Sequence, residues 1–294
     1  GIAKWTRRSP QESRLHMVSG ASAGLSAGFN APLSGVVFAL EELHQGFPPF
    51  ALVTAMGASL SANFASSLLF GLDPVIRMPY IPVPTLIVYI LMPFLGILTA
   101  LSGVLFNALI MRGKALYNRI QLPTWAKPLI PFLGTALVIL AQPLMFGSGE
   151  EFLFMPLTQN PNLPTLIMLY SAKLALLLLA FCAGLPGGIF FPMLVLGSLV
   201  GNIFGSAAVA LGFIDPIWIP AFTVLAMSAQ FAASVRAPLT GMVLMIEMTA
   251  SFEFMLPLGI VTFVAYCTAE LLHSKPIYDS LLELLIQGET RRHR

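Results

Sequence analysis

Residues Ser22–Glu41 read SAGLSAGFNAPLSGVVFALE, and residues Ser228–Glu247 read SAQFAASVRAPLTGMVLMIE. The two stretches are one pattern written twice, 206 positions apart from Pro32 to Pro238. Ser22/Ser228, Ala23/Ala229, Ala27/Ala233, Ala31/Ala237, Pro32/Pro238, Leu33/Leu239, Gly35/Gly241, Val37/Val243 and Glu41/Glu247 coincide. A distant repeat in a strongly apolar chain implies two related halves packed around something shared. In membrane transport proteins that shared element is the substrate path, formed where broken helices of both halves meet.

Composition fixes the solvent. Of 294 residues, 57% are hydrophobic and only 10% charged, where a soluble domain carries roughly a quarter. Mean hydropathy is +0.85. So many apolar side chains need lipid around them, so the chain reads as an integral, multi-pass membrane protein. A net charge of +2 gives no footing for nucleic acid as a partner. Cys182 and Cys267 both lie in apolar runs and read as small buried hydrophobes, not as a disulfide or a metal site. The opening GIAKWTRRSP is basic and polar and does not read as a signal peptide.

Apolar segments fall near 20–40, 50–71, 81–111, 128–146, 164–184, 188–212, 217–234, 237–250 and 254–272. Polar connections are expected near 1–19, 72–80, 112–127, 147–163 and 273–294, and the tail from Tyr278 has the pattern of an amphipathic helix. Many apolar segments are interrupted, as in FNAPLSG (29–35), GLPGGIFFP (184–192) and VRAPLTG (235–241). Irregular backbone at membrane depth is tolerated only when buried in protein or lining an aqueous cavity. Broken helices therefore point to a transporter or channel. Small-residue runs such as GSLVGNIFGSAA (197–208) let helices approach closely. GGIFFP begins 51 residues before Pro238, and its counterpart would fall before Gly1. The chain is therefore expected to begin inside its first half.

Five places are candidates for chemistry. In GLPGGIFFPML (184–194), Gly187 and Gly188 permit unusual backbone angles, and Pro192 suits the first turn of a helix. The amides of Ile189 and Phe190 would then point beyond a helix start, where dipole and N–H groups favour an anion. A plain glycine hinge is the competing reading. GSGEEF (147–152) reads as a turn, because two carboxylates would repel an anion. Glu41 and Glu42 close the helix that begins at APLSG. Carboxylates against apolar surface are costly and functional by default in membranes, and desolvation suits them to a proton relay. Glu41 has a counterpart in Glu247, which suggests a helix-end or packing role. Glu42 faces Met248 in the alignment of halves and is the better functional residue. Lys173 and Arg236, also in apolar surroundings, would pair with a carboxylate or reach a headgroup. Arg236 stands where the first half has Asn30 and would stabilise the break; Glu270 and His273 read as interfacial. In SKPIY (274–278), the Tyr278 hydroxyl can donate to an anion, although an interfacial aromatic is the default.

Taken together, GGIFFP, FNAPLSGVVFALEE, VRAPLTGMVLMIEMT, GSGEEF and KPIY resemble, in order and spacing, the CLC family of chloride channels and chloride/proton antiporters. The resemblance is strongest to bacterial antiporters without cytoplasmic regulatory domains. It implies an all-α integral membrane protein, an inverted repeat with broken, re-entrant helices. Residues 1–146 would be the later part of the first repeat with connecting helices, 147–272 the second repeat, and 273–294 the tyrosine helix and tail. The family's filter segment maps onto Gly188, Ile189, Phe190, Phe191 and Pro192, with the amides of Ile189 and Phe190 at the central anion. Its anion-binding tyrosine maps onto Tyr278, and the antiporters' internal proton-transfer glutamate onto Glu42. The family's GSGIP and GxEGP segments would lie upstream of Gly1. The resemblance further implies no cofactor beyond chloride as the bound substrate ion. It implies a homodimer with an anion path in each subunit, in the inner membrane of a bacterium. The expected function is chloride/proton exchange, with a passive chloride channel and a non-transporting scaffold or fragment as alternatives. An intramembrane enzyme fits poorly: there is no HExxH and no convincing metal-ligand cluster.

Overall fold

The computed structural model describes residues 9–82, 84–120, 123, 126–145, 147, 149, 151–153, 161–183 and 187–292. Among these residues the structure is helical and contains no strand. In chain order the α-helices are α1 (Pro10–Phe29), α2 (Pro32–Phe38), α3 (Pro49–Phe70), α4 (Leu86–Asn118) and α5 (Leu129–Ala141). They continue as α6 (Leu163–Cys182), α7 (Phe190–Ala210), α8 (Ile219–Val235), α9 (Pro238–Thr249), α10 (Met255–Leu271) and α11 (Ile277–Arg292). A π-helical turn, Ala39–His44, extends α2. Among the described residues, six helices are long and apolar enough to cross a membrane. α4, at 33 residues, would be about 50 Å long, so it must tilt or project beyond a hydrocarbon core of about 30 Å.

The helix starts explain most of the boundaries. α1 begins well inside the segment expected to be a polar connection. The reason is a capping box: the Ser9 hydroxyl accepts from the Glu12 amide, and the Ser9 amide donates to Glu12 Oε2 at 3.0 Å, with Pro10 at the first helical position. α4 likewise runs through residues 112–118, which the sequence suggested were connection. The repeat is reproduced in backbone detail. α1 ends at Asn30 (φ 49°) and α8 at Arg236 (φ 75°), both left-handed, and in each an alanine and then a helix-starting proline follow. The left-handed residue ends one helix, and the fixed φ of proline starts the next in a new direction.

The described residues fall in two compact units, one within Gly1–Met78 plus Ala237–Gly259, the other within Pro79–Arg236 plus Ile260–Arg294. In the first, α1 packs on α3 and α2, and α2 on α9. Its apolar centre is Val36, Leu40, Ala51 and Ala55, with Leu15 and Leu52 against it. Hydroxyls of the small-residue face of α1 bond to α3: Ser22 donates to the Ala55 carbonyl and Ser26 to that of Ser59. A side chain at Gly35 would meet the Ser22 carbonyl at 2.5 Å, so α2 lies against α1 only because it carries glycine there.

In the second unit α8 is the axis, with every residue from Ile219 to Val235 buried. A helix apolar on all sides belongs inside a protein. α7 lies on it along Gly197, Gly201 and Gly205, one per turn. A Cβ on Gly197 would stand 2.8 Å from the Ala226 carbonyl, and one on Gly201 would overlap the Phe222 carbonyl. Ser228 of α8 and Thr262 of α10 share a hydrogen bond of 2.7 Å. It is the second-half counterpart of Ser22 on α3.

Candidate functional site

The residues read as a filter lie where a break ends and α7 begins. Ile189 is the N-cap and Phe190 the first helical residue, and Pro192 falls in the first turn, where a proline has no intrahelical bond to lose. The N-cap side chain is a hydrocarbon, and the first turn carries no acid. The positive end of the dipole is thus left uncompensated by any side chain of its own turn. The Phe190 ring packs 4.7 Å from that of Phe231, which is fully buried on α8, so the first turn is held against the axis of the unit. Gly187, Gly188, Ile189 and Pro192 line a cavity of about 520 Å³. Gly184 to Pro186 lie outside the described residues.

Two other helix starts show the opposite arrangement. Glu41 accepts from the Leu239 amide at 3.1 Å, the Thr240 amide at 2.7 Å and the Thr240 hydroxyl at 2.8 Å. Glu247 accepts from the Leu33 amide at 2.8 Å, the Ser34 amide at 2.7 Å and the Ser34 hydroxyl at 2.5 Å. Each repeated glutamate therefore sits on the first turn of the other repeat's APL helix, a reciprocal pair of clamps between α2 and α9. The helix-end role expected of Glu41 is what the geometry gives. Glu42 is half-buried beside it in the π-helical turn, an insertion that recurs at functional sites.

Tyr278 is the second residue of α11 and half-buried. The turn before it is tied down by two side chains. Asn107 of α4, itself buried, donates from Nδ2 to the Lys275 carbonyl at 3.1 Å and the Ser234 carbonyl at 2.9 Å. Arg236 donates to the Ser274 carbonyl at 2.7 Å and the Tyr266 carbonyl at 2.8 Å. Its guanidinium lies 3.6 Å from Glu270 and over the Tyr266 ring. Arg236 thus braces the break, as its position opposite Asn30 suggested, and also aims the tyrosine segment. Asn107 was not singled out from sequence. An amide inside the apolar run 81–111 was the available signal, since polar side chains in a span need a partner.

Lys173 does not reach a headgroup region. It is 5% exposed, donates from Nζ to the Gly147 carbonyl at 3.1 Å and sits over the Phe152 ring, so it neither pairs with a described carboxylate nor reaches outward. Gly147 (φ 70°) and Gly149 (φ 98°) are both left-handed, and a Cβ on Gly149 would meet Lys173 Cε at 2.9 Å. Ser148 and Glu150 of this turn lie outside the described residues. Residues Gly20–Gly24 match a GxSxG pattern by letter, but Ser22 lies mid-helix and bonded to Ala55, not on a strand-to-helix elbow.

Residues 1–270 match the sequence profile of the family described as voltage gated chloride channel. The chain belongs to the CLC family. The H(+)/Cl(-) exchange transporter ClcA of Vibrio parahaemolyticus is 37% identical over 286 residues, 95% of this chain and 61% of that protein. The protein of the same name from Klebsiella pneumoniae is 35% identical over 94% of this chain and 60% of that one. This CLC chain thus spans about three fifths of the length of these relatives. The crystal structure of a slow cyanobacterial Cl-/H+ antiporter superposes with a TM-score of 0.86 at 31% identity, covering 98% of this chain and 68% of that one. A CLC-type fluoride/proton antiporter, at 22% identity and TM-score 0.76, has the same fold.

Proposed function

We propose that this CLC chain serves chloride/proton exchange. The observation that carries the reading is the contrast among helix starts. Those of α2 and α9 are filled by protein carboxylates, whereas α7 begins with Ile189 and no acid, beside a cavity. A dehydrated chloride at that start would be held by the amides of Ile189 and Phe190 and by the dipole, with Tyr278 donating its hydroxyl. No full positive charge need touch it, and weak binding suits an ion that must leave again. The names of the relatives, exchange transporters and an antiporter, support protons as the counter-substrate. Glu42 is the residue we assign to carry them inward.

Exchange requires anion and proton to compete for one position. In the family that position is the glutamate of GxEGP, a segment this chain does not contain. On the same reading the protein is a homodimer in a bacterial inner membrane, with an anion path in each subunit. The test is Glu42→Gln in the full-length protein in liposomes. Proton flux should fall to background while chloride flux stays within about twofold. Unchanged proton coupling removes Glu42 from the mechanism. Chloride flux without protons in the unmodified protein makes it a channel.

A further inference from the structure

We propose that Gln230, Ser234 and Asn107 form a buried water-binding site, and that the water joins the helix behind the filter to the turn before Tyr278. Helix α8 is buried along its whole length, and its other hydroxyls are satisfied: Thr223 donates to the Ile219 carbonyl at 2.9 Å, and Ser228 shares a bond with Thr262. Gln230 and Ser234 differ. Both are 0% exposed, yet neither end of the Gln230 carboxamide nor the Ser234 hydroxyl has a hydrogen-bond partner among the described residues. On α4, Oδ1 of Asn107 is in the same condition, although its Nδ2 is bonded. Polar atoms buried without protein partners are costly, and ordered water is their usual partner.

The four atoms belong to one seam. Gln230 and Ser234 lie about one turn apart on one face of α8. A Cβ on Gly103 of α4 would stand 3.0 Å from Ser234 Oγ, and Asn107, the next turn of α4, donates to the Ser234 carbonyl at 2.9 Å. A Cβ on Gly197 of α7 would stand 2.8 Å from Gln230 Cβ, so α4, α7 and α8 meet closely there. The atoms also select the ligand. Gln230 Nε2 can only donate and Asn107 Oδ1 can only accept. Chloride suits the first and is repelled by the second, and a cation does the reverse. Water both donates and accepts, and is small enough for a seam lined by glycine.

The repeat separates this pair from the architecture. Offset by 206 positions, Gln230 and Ser234 correspond to Gly24 and Gly28. The first half makes the same helix break without the amide or the hydroxyl, so the break does not require them. Their position gives the water its role. Phe231, next to Gln230, packs on Phe190 at the α7 start, and Asn107 holds the Lys275 carbonyl ahead of Tyr278. A water shared by Gln230 and Asn107 ties these two parts of the anion site together, and Gln230 is a positioning residue. Its effect on chloride rests on the filter reading given above, but the hydration does not.

The test is a high-resolution electron cryomicroscopy map of the full-length protein in lipid nanodiscs, for the parent and Gln230→Leu, with chloride affinity measured by calorimetry. The parent map should show a water peak within hydrogen-bonding distance of Gln230 and of Ser234 Oγ or Asn107 Oδ1, and the Gln230→Leu map should lack it. Gln230→Leu should weaken chloride about fivefold, while Gln230→Asn, which keeps the amide, should stay within about twofold of the parent. Leu and Asn have nearly the same shape, so packing alone would weaken both alike. Adding Asn107→Ala to Gln230→Leu should bring no further loss, since one water serves both. If Gln230→Leu does not fold, Ser234→Ala removes a partner of the water without removing bulk, and it should weaken chloride about twofold or more. A parent map in which Gln230 bonds only to protein, or in which the seam holds no peak, overturns the site. A water peak combined with unchanged affinity in Gln230→Leu, or with equal losses in the Leu and Asn variants, overturns the positioning role. The map decides the hydration whether or not the protein moves protons.

Discussion

Glu41 and Glu42 are adjacent and chemically identical, yet the first has a counterpart acid in the second repeat and the second does not. Glu41 is spent on the start of α9, as Glu247 is on the start of α2. Removing either acceptor strands two backbone donors and a hydroxyl. Loss of a cap costs about 0.5–2 kcal/mol, and hydrogen bonds to a charged group are worth about 1.5–3 kcal/mol each. Glu41→Ala and Glu247→Ala are each expected to lower stability by about 2 kcal/mol, read as denaturant midpoints in detergent. The double variant should lose less than the sum, because both clamps fasten the same pair of helices. Strict additivity would show that they act separately. The helix-end role of the shared acid was legible in the repeat; the unshared Glu42 is the residue to which we assign the proton. Asn107 was not legible. Its acceptors lie 127 and 168 positions along the chain, and no spacing in the run 81–111 announces them. If it aims Tyr278 through the Lys275 carbonyl, Asn107→Ala should weaken chloride binding by calorimetry about as much as Tyr278→Phe. The double variant should then be no worse than either alone. Additive losses would mean that Asn107 acts elsewhere.

At the scale of elements, the helices are placed by where backbones can touch. The ridge of Gly197, Gly201 and Gly205 lets α7 lie directly on α8, and α7 brings Ile189 and Phe190 with it. Gly201→Val would force the Phe222 carbonyl aside. Overpacking of this kind typically costs about 1–3 kcal/mol. Here the obstacle is backbone, so the upper end or failure to assemble is expected, read by gel filtration and the thermal midpoint. A parent-like midpoint would contradict the close crossing. The small-residue run was visible in the sequence, but its partner was not, because a helix buried on every side, such as α8, gives no stripe to orient. The beginning of α1 was readable from Ser9-Pro10-Gln11-Glu12. The polar look of residues 1–19 obscured it: the capping box is itself made of polar residues.

For the molecule as a whole, the repeat and the composition pointed to a membrane protein of two related halves, and the all-helical fold was what the resemblance to the CLC family implied. The grouping of helices was not legible: α9 belongs with α1–α3 through contacts such as Glu247 to Leu33, 214 positions apart. Local pattern does not report so distant a pairing. On the proposed exchange, the full-length protein moves protons uphill on chloride alone. The direct measurement uses liposomes containing the full-length protein, with a chloride gradient as the only driving force and a pH electrode outside. The account predicts proton movement against its own gradient, reversing with the chloride gradient and lost in Glu42→Gln. Chloride movement with no proton movement in the unmodified protein would contradict it.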